Sequence, residues 1–434
     1  MQWENHKGIS GWVIVAALSL SPIAIWLTIK PLAERFATVS TTLTSVGQML
    51  GLVGMTMFAL TLVLSTRHPK LERFFNGMNR VYTAHHVFGA IAFSLILFHP
   101  IALALKYALF STNAAANFLL STDPSILFGT AALLSMMLLL FLTFFVSFAY
   151  HKWEITHRFL AAAFILASIH TLIIYSDTQL SPLLYWYMVL VIVIGSIPIL
   201  YRTVMPRLFV SYAEYIIDEV RPLDEHTVEL FMTPVFKPII HTAGQFIFIS
   251  FENETVGKES HPFSIVSAPG DPRLTIAIKS LGDHTGRFKL IEKGMIAKVE
   301  GPFGMFSYTT ARGKDQIWIA GGIGITPFIS MARSVTDPAY RIKVYYCVKD
   351  QAEAVFLNDL IAITEKNPNV ETMAFCSSER GYISADALQT MHGDLLAKEF
   401  FICGPPAMMQ GLKEQLIRKG VPKKHIHTEE FSFR

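Results

Sequence analysis

The chain has 434 residues, enough for two or three domains, and its net charge of +3 is too small to indicate nucleic acid as a partner. Its composition of 52% hydrophobic and 16% charged residues averages two unlike parts. Up to about residue 201 the sequence is typical of a membrane protein, and beyond that of a soluble one. All three cysteines lie in the soluble part without metal-binding or disulfide spacing, which predicts a reducing compartment.

Six apolar segments, each close to the roughly 20 residues needed to cross a bilayer, predict six membrane-spanning helices. They cover residues 11–29, 45–64, 81–107, 125–150, 155–175 and 182–201. Lysine and arginine are concentrated in the connections after the second, fourth and sixth segments. Because basic loops stay on the cytoplasmic side, we expect both chain termini to be cytoplasmic.

Histidines lie inside the third and fifth segments, where an ionisable side chain is costly and indicates function. In the third segment, His85 and His99 are fourteen residues apart. An ideal helix places them about 40° apart around its axis and about 21 Å apart along it, so both rings leave the same face. His86 lies about 140° from His99 by the same measure. His85 is therefore the preferred ligand, and His86 is the alternative.

In the fifth segment, His157 and His170 are thirteen residues apart, a spacing that an ideal helix splays, so we expect a π-bulge or kink between them. The predicted orientation puts His85 and His157 at cytoplasmic depth, and His99 and His170 toward the outer face. Two facing helices would then form two bis-histidine sites, which suit two haems. Zinc would require further cysteine, aspartate or glutamate ligands nearby. The alternative is that all four are satisfied core or interfacial histidines.

From about residue 208 the pattern changes to short β-rich runs separated by proline and glycine turns. About six such runs before residue 308 predict a small closed barrel. After residue 314, strands alternate with helices, which predicts a parallel sheet. The predicted fold is therefore a six-helix transmembrane bundle, an antiparallel β-barrel and an α/β domain with a parallel sheet. We place these domains at residues 1–205, 206–312 and 313–434.

Two glycine-containing turns follow strands of the α/β part. Backbone amides at such a turn approach a pyrophosphate closely, and the start of a helix favours its negative charge. In chain order the residues are Gly321, Gly322, Gly324, Thr326 and Pro327 in the first turn and Cys403, Gly404 and Pro405 in the second. Because ligands bind at the carboxyl ends of strands in open α/β sheets, both turns should face one crevice. The alternative for the first is a plain tight turn.

The barrel contains an aromatic and hydroxyl run that suits a flat ring and a phosphate. Its residues are His261, Pro262, Phe263 and Ser264, and a second strand end supplies Lys279, Gly282 and Thr285. The alternative is an ordinary surface loop after a strand.

Four motifs in this order resemble the ferredoxin-NADP reductase superfamily. They are His-Pro-Phe-Ser at 261–264, Gly-Pro-Phe-Gly at 301–304, Gly-Gly-Ile-Gly-Ile-Thr-Pro at 321–327 and Cys-Gly-Pro-Pro at 403–406. Joined to six helices with two histidine pairs, nearly the whole chain resembles the ferric reductase and NADPH oxidase family, more closely its bacterial members. The resemblance implies FAD on the barrel, a nicotinamide cofactor on the α/β domain and two b-type haems in the membrane.

The resemblance also implies roles for individual residues. The 261–264 run would hold the flavin, with Lys279 and Thr285 nearby. The first glycine turn would take the pyrophosphate of the nicotinamide cofactor. The second turn, with Cys403, would flank the nicotinamide. A C-terminal aromatic, Phe431 or alternatively Phe433, would stack on the flavin and move aside for the nicotinamide. Lys349, assisted by Arg380, would bind a 2′-phosphate, which favours NADPH over NADH. A solvated lysine is the alternative for Lys349.

The predicted function is a transmembrane NADPH oxidase that passes electrons from cytosolic NADPH through FAD and two haems to oxygen, giving superoxide. A ferric-chelate reductase of the same design is the first alternative, because animal oxidases of the family carry a further histidine where this chain has Leu103. A membrane anchor or transporter with a fused reductase is the second. We expect a bacterial inner membrane location, lipid and a small-molecule acceptor as partners, and no obligatory protein partner.

Overall fold

The computed structural model of the protein describes residues 9–148, 150–205, 210–253, 256–257, 259–280 and 290–430. The chain divides into two compact units, Met1–Val210 and Ser211–Arg434. The first is called the membrane unit and the second the C-terminal unit, and each is described by itself.

Long apolar helices build the membrane unit. In chain order they and their short neighbours are α1 (Ser10–Leu27), α2 (Leu32–Arg35), α3 (Val39–Leu64), α4 (Pro69–Phe75), α5 (Met78–Ala108), α6 (Thr112–Leu119), α7 (Pro124–Phe145), α8 (Tyr150–Arg158), α9 (Leu160–Ile173), α10 (Asp177–Leu180) and α11 (Pro182–Pro198). Among the described residues, six segments are long and apolar enough to cross a membrane, which confirms the six predicted spans. The α3 segment is 56% buried and the others are 17–28% buried. α3 is therefore the central helix, and the exposed apolar faces of the others suit hydrocarbon.

The fifth span is interrupted between its two histidines. α8 and α9 meet at Phe159, whose backbone N–H is shared between two carbonyls of the preceding turn. The N–H of Ala162 then bonds to the Phe159 carbonyl at 2.9 Å, a 3₁₀-type contact. The local winding is thus tighter than in an α-helix, whereas a π-bulge would be wider. Tighter winding moves a thirteen-residue step toward four whole turns, which brings His157 and His170 toward one face.

A buried ion pair joins the connection after α1 to the connection after α9. Arg35 Nη1 donates to Asp177 Oδ2 at 2.7 Å, and the two side chains are 2% and 4% exposed. Lys30 Nζ donates to Asp177 Oδ1 at 3.0 Å, and the Arg35 guanidinium stacks over the Trp26 ring. Burial acts to raise the pKa of Asp177, but the hydrogen bonds and charges of Arg35 and Lys30 outweigh it and hold that pKa below its ordinary value. The pair is therefore ionised at neutral pH.

We expect Asp177→Asn to destabilise the membrane unit, because it leaves the buried Arg35 guanidinium without its counter-charge. Removing one partner of a buried ion pair costs about 3–5 kcal/mol, so the midpoint of thermal unfolding in detergent should fall clearly. Lys30→Gln is the matched control, since Lys30 is 45% exposed and an exposed pair contributes about 1 kcal/mol or less. Equal midpoints for the two variants would contradict a stabilising role of the buried pair.

The first part of the C-terminal unit is a nearly closed antiparallel barrel. Its strands are β1 (Ala213–Pro222), β2 (Thr227–Pro234), β3 (Phe246–Phe251), β4 (His261–Ser264), β5 (Leu274–Lys279) and β6 (Ile296–Phe303), in the order β4-β3-β6-β1-β2-β5. An antiparallel bridge between Ile265 and Ile276 joins the two ends of this order. Alternate residues point inward, as Ile247 and Ile249 of β3 do. The predicted barrel is confirmed.

The second part is a parallel sheet covered on both faces. Its strands are β7 (Asp315–Gly321), β8 (Arg341–Val348), β9 (Val370–Cys376), β10 (Glu399–Cys403) and β11 (Ile426–Glu429), and its helices are α12 (Thr326–Ser334), α13 (Leu357–Lys366), α14 (Ser377–Arg380), α15 (Ala385–His392) and α16 (Pro406–Arg418). The strand order is β11-β10-β7-β8-β9. Trp318 packs into the core on one face, and Ile317 and Ile319 into the core on the other. The predicted α/β domain is confirmed, and the turn after the central β7 lies where the strand order reverses.

The barrel and α12 share one core, which holds the two parts of the C-terminal unit together. The Ser330 hydroxyl donates to the Ser267 carbonyl at 2.7 Å. Phe306 packs against Phe328 of α12 with ring centroids 5.5 Å apart. The chain that continues from β4 is therefore tied to the helix that follows the first glycine turn.

Candidate functional site

The membrane unit brings His99 and His170 together, and we call them the second pair. Their ring centroids are 6.2 Å apart, with an interplanar angle of 67°. His99 Nδ1 lies 2.7 Å from the Gly47 carbonyl oxygen on α3, and His170 Nδ1 lies 2.5 Å from the Ser125 carbonyl oxygen on α7. Because a carbonyl only accepts, each Nδ1 carries the proton and each Nε2 keeps a lone pair.

His85 and His157 form the first pair, with ring centroids 6.1 Å apart and an interplanar angle of 65°. His85 Nδ1 donates to the Thr61 carbonyl at 2.9 Å. His157 stacks on Trp153 at 5.3 Å, and its buried Nδ1 has no hydrogen-bond partner among the described residues. His86 is exposed, and its ring lies 5.6 Å from that of His85. The structure thus pairs the four preferred histidines two by two and places His86 beside the first pair.

Both pairs have the ring separation that one metal ion between two imidazoles requires. A metal–nitrogen bond of about 2 Å adds to about 1 Å from the nitrogen to the ring centre, so two imidazoles on one metal have centres about 6 Å apart. The observed separations of 6.1 and 6.2 Å match this distance. Among the described residues, no group of three or more His, Cys, Asp or Glu side chains could hold a metal. The pairs therefore fit a haem, whose ring supplies the other ligands, better than tetrahedral zinc.

Two glycines that the sequence analysis did not single out lie against the second pair. A Cβ on Gly51 of α3 would be 2.9 Å from His99 Nδ1, and one on Gly129 of α7 would be 2.8 Å from His170 Nδ1. Any side chain at either position would displace an imidazole. A four-residue glycine spacing on α3, from Gly47 to Gly51, was the available signal, because small residues at this spacing mark close approach in membrane helices.

The predicted flavin run forms β4 and pairs with residues 246–249 of β3. Ser264 is buried, while His261 Nε2 lies 3.5 Å from Glu259 Oε2. Lys279 ends β5, the strand that the Ile265–Ile276 bridge joins to the chain after β4. The barrel thus places the run and Lys279 on adjoining strands. Gly282 and Thr285 lie outside the described residues.

The two glycine turns meet at the carboxyl edge of the parallel sheet. β7 and β10 are neighbours, with Ala320 opposite Cys403. A Cβ on Gly324 would be 2.5 Å from the Cys403 carbonyl oxygen, and one on Gly321 would be 2.7 Å from Pro405 Cδ. The turns touch through their backbones, so the structure brings them together as the sequence predicts.

The first turn leads directly into α12. Gly322 has φ +54°, a left-handed conformation that favours glycine. Thr326 begins α12, its hydroxyl donates to the Ile323 carbonyl at 3.0 Å, and Pro327 occupies the next position, where a helix tolerates proline. The 3₁₀ turn Gly322–Ile325 runs directly into this helix, and the backbone N–H of Thr326 donates to the Ile323 carbonyl.

Cys403 lies at the end of β10 and is 1% exposed. Burial, with the charge of Glu429, raises the pKa of the Cys403 thiol far above its usual range. The thiol therefore stays protonated and is not activated as a nucleophile. β11 ends at Glu429, opposite Cys403, and Phe431 and Phe433 lie outside the described residues.

Lys349 and Arg380 follow neighbouring strands, β8 and β9, and both are exposed. The backbone N–H of Ser378 donates to the Lys349 carbonyl at 3.0 Å, which ties the two strand ends together. Tyr382, which the sequence analysis did not single out, is 91% exposed two residues beyond Arg380. This corner of the sheet therefore offers two cations and one flat aromatic surface.

Three family models match the chain in order. Residues 50–168 match the ferric reductase like transmembrane component, residues 214–305 an FAD-binding domain, and residues 318–414 an oxidoreductase NAD-binding domain. The first model covers the second half of α3, all of α5 and α7 and most of the fifth span, and includes three of the four paired histidines. The membrane-spanning helices and this match make the chain an integral membrane protein.

Relatives of the C-terminal unit are reductases. A 3-ketosteroid-9-alpha-monooxygenase ferredoxin reductase component from Rhodococcus rhodochrous is 28% identical over 44% of this chain and 55% of its own length, so the chain spans about half of that relative. Ferredoxin–NADP reductase B of Sorangium cellulosum is 27% identical over 49% of this chain and 94% of its own length. The solved cytochrome P450 reductase GcoB of Amycolatopsis covers 51% of this chain and 70% of its own, with 20% identity and a TM-score of 0.46. The family models and the fold confirm the resemblance: the chain is an NAD(P)H-dependent membrane flavin oxidoreductase with the domain architecture of the ferric reductase and NADPH oxidase family.

Proposed function

We propose that the protein carries electrons from cytosolic NADPH through FAD and two stacked b haems to oxygen on the opposite side of the membrane, giving superoxide. The observation that carries this proposal is the presence of two imidazole pairs, each with the separation that one bis-histidine metal needs. Each pair draws one histidine from α5 and one from the fifth span. The spacing of about 21 Å along α5 would set the two pairs at different depths.

The histidines would hold the haems as axial ligands, His85 with His157 on the inner side and His99 with His170 on the outer side. Haem iron supplies one-electron transfer when it is bound. The backbone carbonyls of Thr61, Gly47 and Ser125 orient three of the four rings, so Nε2 is the nitrogen available to iron. The apolar spans would exclude water from both positions in the membrane.

The C-terminal unit would position the hydride donor against its acceptor. β4 would hold the flavin, the first glycine turn with Thr326 would bind the pyrophosphate of the nicotinamide cofactor, and Cys403 would flank the nicotinamide. The shared core of barrel and α12 sets the spacing of these positions, through contacts such as Ser330 with Ser267. Phe431 would cover the flavin until the nicotinamide enters, with Phe433 as the alternative.

A ferric chelate is the second candidate acceptor, and Leu103 supports it. This leucine stands one turn beyond His99, and a Cβ on Gly47 would be 2.8 Å from its Cδ2. An apolar side chain beside the second pair offers neither a hydrogen bond nor a positive charge to a superoxide anion. Electron transfer to a ferric chelate forms no such anion.

One set of measurements tests the proposal on the full chain in detergent or vesicles. We expect a reduced-minus-oxidised spectrum of a b-type haem and two haems per chain by quantification. Cytochrome c reduction that superoxide dismutase abolishes would support oxygen, and reduction that persists would support direct metal reduction. A purified chain without Soret absorption would contradict the proposal and favour a membrane anchor with a fused reductase.

We also propose a bacterial inner membrane with both termini and the C-terminal unit in the cytoplasm, membrane lipid as the surrounding partner, and no obligatory protein partner. The basic connections after the second, fourth and sixth spans support this orientation. Protease should then remove a C-terminal tag in inverted vesicles and spare it in intact spheroplasts. The opposite result would reverse the assigned direction of electron flow.

Lys349→Ala is expected to raise the KM for NADPH by about tenfold or more and to leave the KM for NADH unchanged. A hydrogen bond to a charged group is worth about 1.5–3 kcal/mol, and only NADPH carries the 2′-phosphate. Lys343→Ala is the matched control, since Lys343 lies near the amino end of β8, the strand that Lys349 follows, and pairs with Glu371 at 3.1 Å. If Lys349→Ala changes both KM values equally, Lys349 does not read the phosphate.

A further inference from the structure

We infer that Gly51 and Gly129 are positioning residues for the second histidine pair, each forming with the carbonyl four residues earlier a seat for one imidazole. The two seats are Gly47 with Gly51 on α3, which takes His99, and Ser125 with Gly129 on α7, which takes His170. The inference rests on the proposed haem ligation and extends it to residues that touch neither the metal nor the substrate.

Helix geometry explains why glycine occupies the second position of each seat. In an α-helix the carbonyl of residue i points at the N–H of residue i+4, so the side chain of residue i+4 stands beside that carbonyl. An imidazole that also donates to this carbonyl can approach it from the side on which the side chain of residue i+4 stands. When it does, a residue without a Cβ leaves that space free.

The distances agree with this argument at both seats. A Cβ on Gly51 would be 2.9 Å from His99 Nδ1 and 3.1 Å from Cε1. A Cβ on Gly129 would be 2.8 Å from His170 Nδ1 and 2.9 Å from Cε1. Neither imidazole relieves such contacts without lengthening its hydrogen bond of 2.7 or 2.5 Å. The same arrangement on two helices at one pair is a repeated device rather than a single close contact.

The first pair is held differently. His85 donates to the Thr61 carbonyl at 2.9 Å. The residue four positions later is Ser65, whose backbone N–H donates to the same carbonyl at 3.2 Å, so this ring approaches its carbonyl beside a residue that has a Cβ. His157 stacks on Trp153, and its Nδ1 has no hydrogen-bond partner in the part of the chain that the structure describes. Of the four paired histidines, only His99 and His170 of the second pair therefore lie in a seat that contains a glycine.

The seats should set the electronic character of the second pair as well as its position. A hydrogen bond from Nδ1–H to an acceptor makes imidazole a stronger donor to metal, which favours the oxidised iron. Lengthening that bond by adding a methyl group should raise the midpoint potential of the second haem and weaken its binding. The first haem should keep its potential.

The test compares four single alanine variants of the full chain. Gly51→Ala and Gly129→Ala add a methyl group against an imidazole. Gly54→Ala adds one on the same helix α3 at 2.9 Å from Ile96 Cγ1, an equal steric overlap without a histidine, and Gly89→Ala adds one with its closest neighbour at 3.9 Å. The readouts are haem content, a potentiometric titration, the low-spin EPR signal and anaerobic bleaching of FAD by NADPH.

We expect Gly51→Ala and Gly129→Ala to lose up to half of the haem, and the second haem that remains to titrate at a higher potential with a changed EPR signal. Gly54→Ala and Gly89→Ala should keep both potentials, and all four variants should keep FAD reduction. If Gly51→Ala and Gly129→Ala match Gly54→Ala in every readout, the positioning role of the two glycines is rejected while the haem proposal stands. A wild-type chain without haem would overturn both.

Discussion

Replacing His99 or His170 with alanine should halve the haem content, abolish electron delivery to the acceptor and leave reduction of FAD by NADPH at the wild-type rate. Each substitution removes one of the two Nε2 ligands whose rings lie 6.2 Å apart, and a bis-histidine haem is not held by the other ligand alone. The flavin and nicotinamide positions lie in the other unit of the chain. Haem quantification and anaerobic flavin bleaching measure the two effects separately.

His86→Ala is the matched control for this experiment, because His86 is an exposed histidine on the same helix as His99. It should keep both haems and full acceptor reduction. Simultaneous loss of both haems and of FAD reduction in His99→Ala would contradict the assignment of the second pair to the outer side. Loss of a haem in His86→Ala would indicate that His86, rather than His85, is the α5 ligand of the first haem.

Gly324→Ala should weaken NADPH binding by about 10- to 100-fold and leave FAD bound. The added methyl group would lie 2.5 Å from the Cys403 carbonyl oxygen and 2.8 Å from Gly404 Cα. Both neighbours are backbone atoms, so no rotamer change relieves the overlap, and overpacking of this kind costs about 1–3 kcal/mol. The two turns must move apart to relieve the overlap, and this movement changes the shape of the crevice between them. Flavin bleaching as a function of NADPH concentration gives the apparent affinity.

Gly411→Ala is the control for a glycine substitution in the same domain. Gly411 lies inside α16, and a Cβ there meets nothing within 4 Å. Alanine should stabilise that helix by about 0.5–1 kcal/mol and leave NADPH binding unchanged. An unchanged NADPH affinity in Gly324→Ala would show that the contact between the turns does not shape the coenzyme site.

Hydropathy and glycine punctuation were sufficient to predict the spans, the barrel and the parallel sheet. These features depend on local pattern, since about 20 consecutive apolar residues are typical of a membrane-spanning helix and short Val–Ile runs between glycine turns are typical of buried strands. The meeting of Gly324 with Cys403 was also predictable, because carboxyl ends of parallel strands share one edge.

The support of the histidines was not predictable from side chains. Gly47 and Ser125 act through backbone carbonyls, which every residue type possesses, and only the packing of α3 on α5 and of α7 on α9 identifies them. The thirteen-residue step from His157 to His170 was equally ambiguous, because ideal helix geometry allows correction by tighter or wider winding. The tight turn at Phe159 shows that the correction is made by tighter winding.

The ion pair between Arg35 and Asp177 has a consequence for biosynthesis. The partners are 142 positions apart, so a ribosome completes the first two spans long before it makes the carboxylate. Until the fifth span is inserted, the Arg35 guanidinium has no counter-charge and is expected to remain hydrated at the membrane surface. Formation of the pair would then report that five of the six spans are in place, which makes Asp177 a late checkpoint in insertion of the nascent chain.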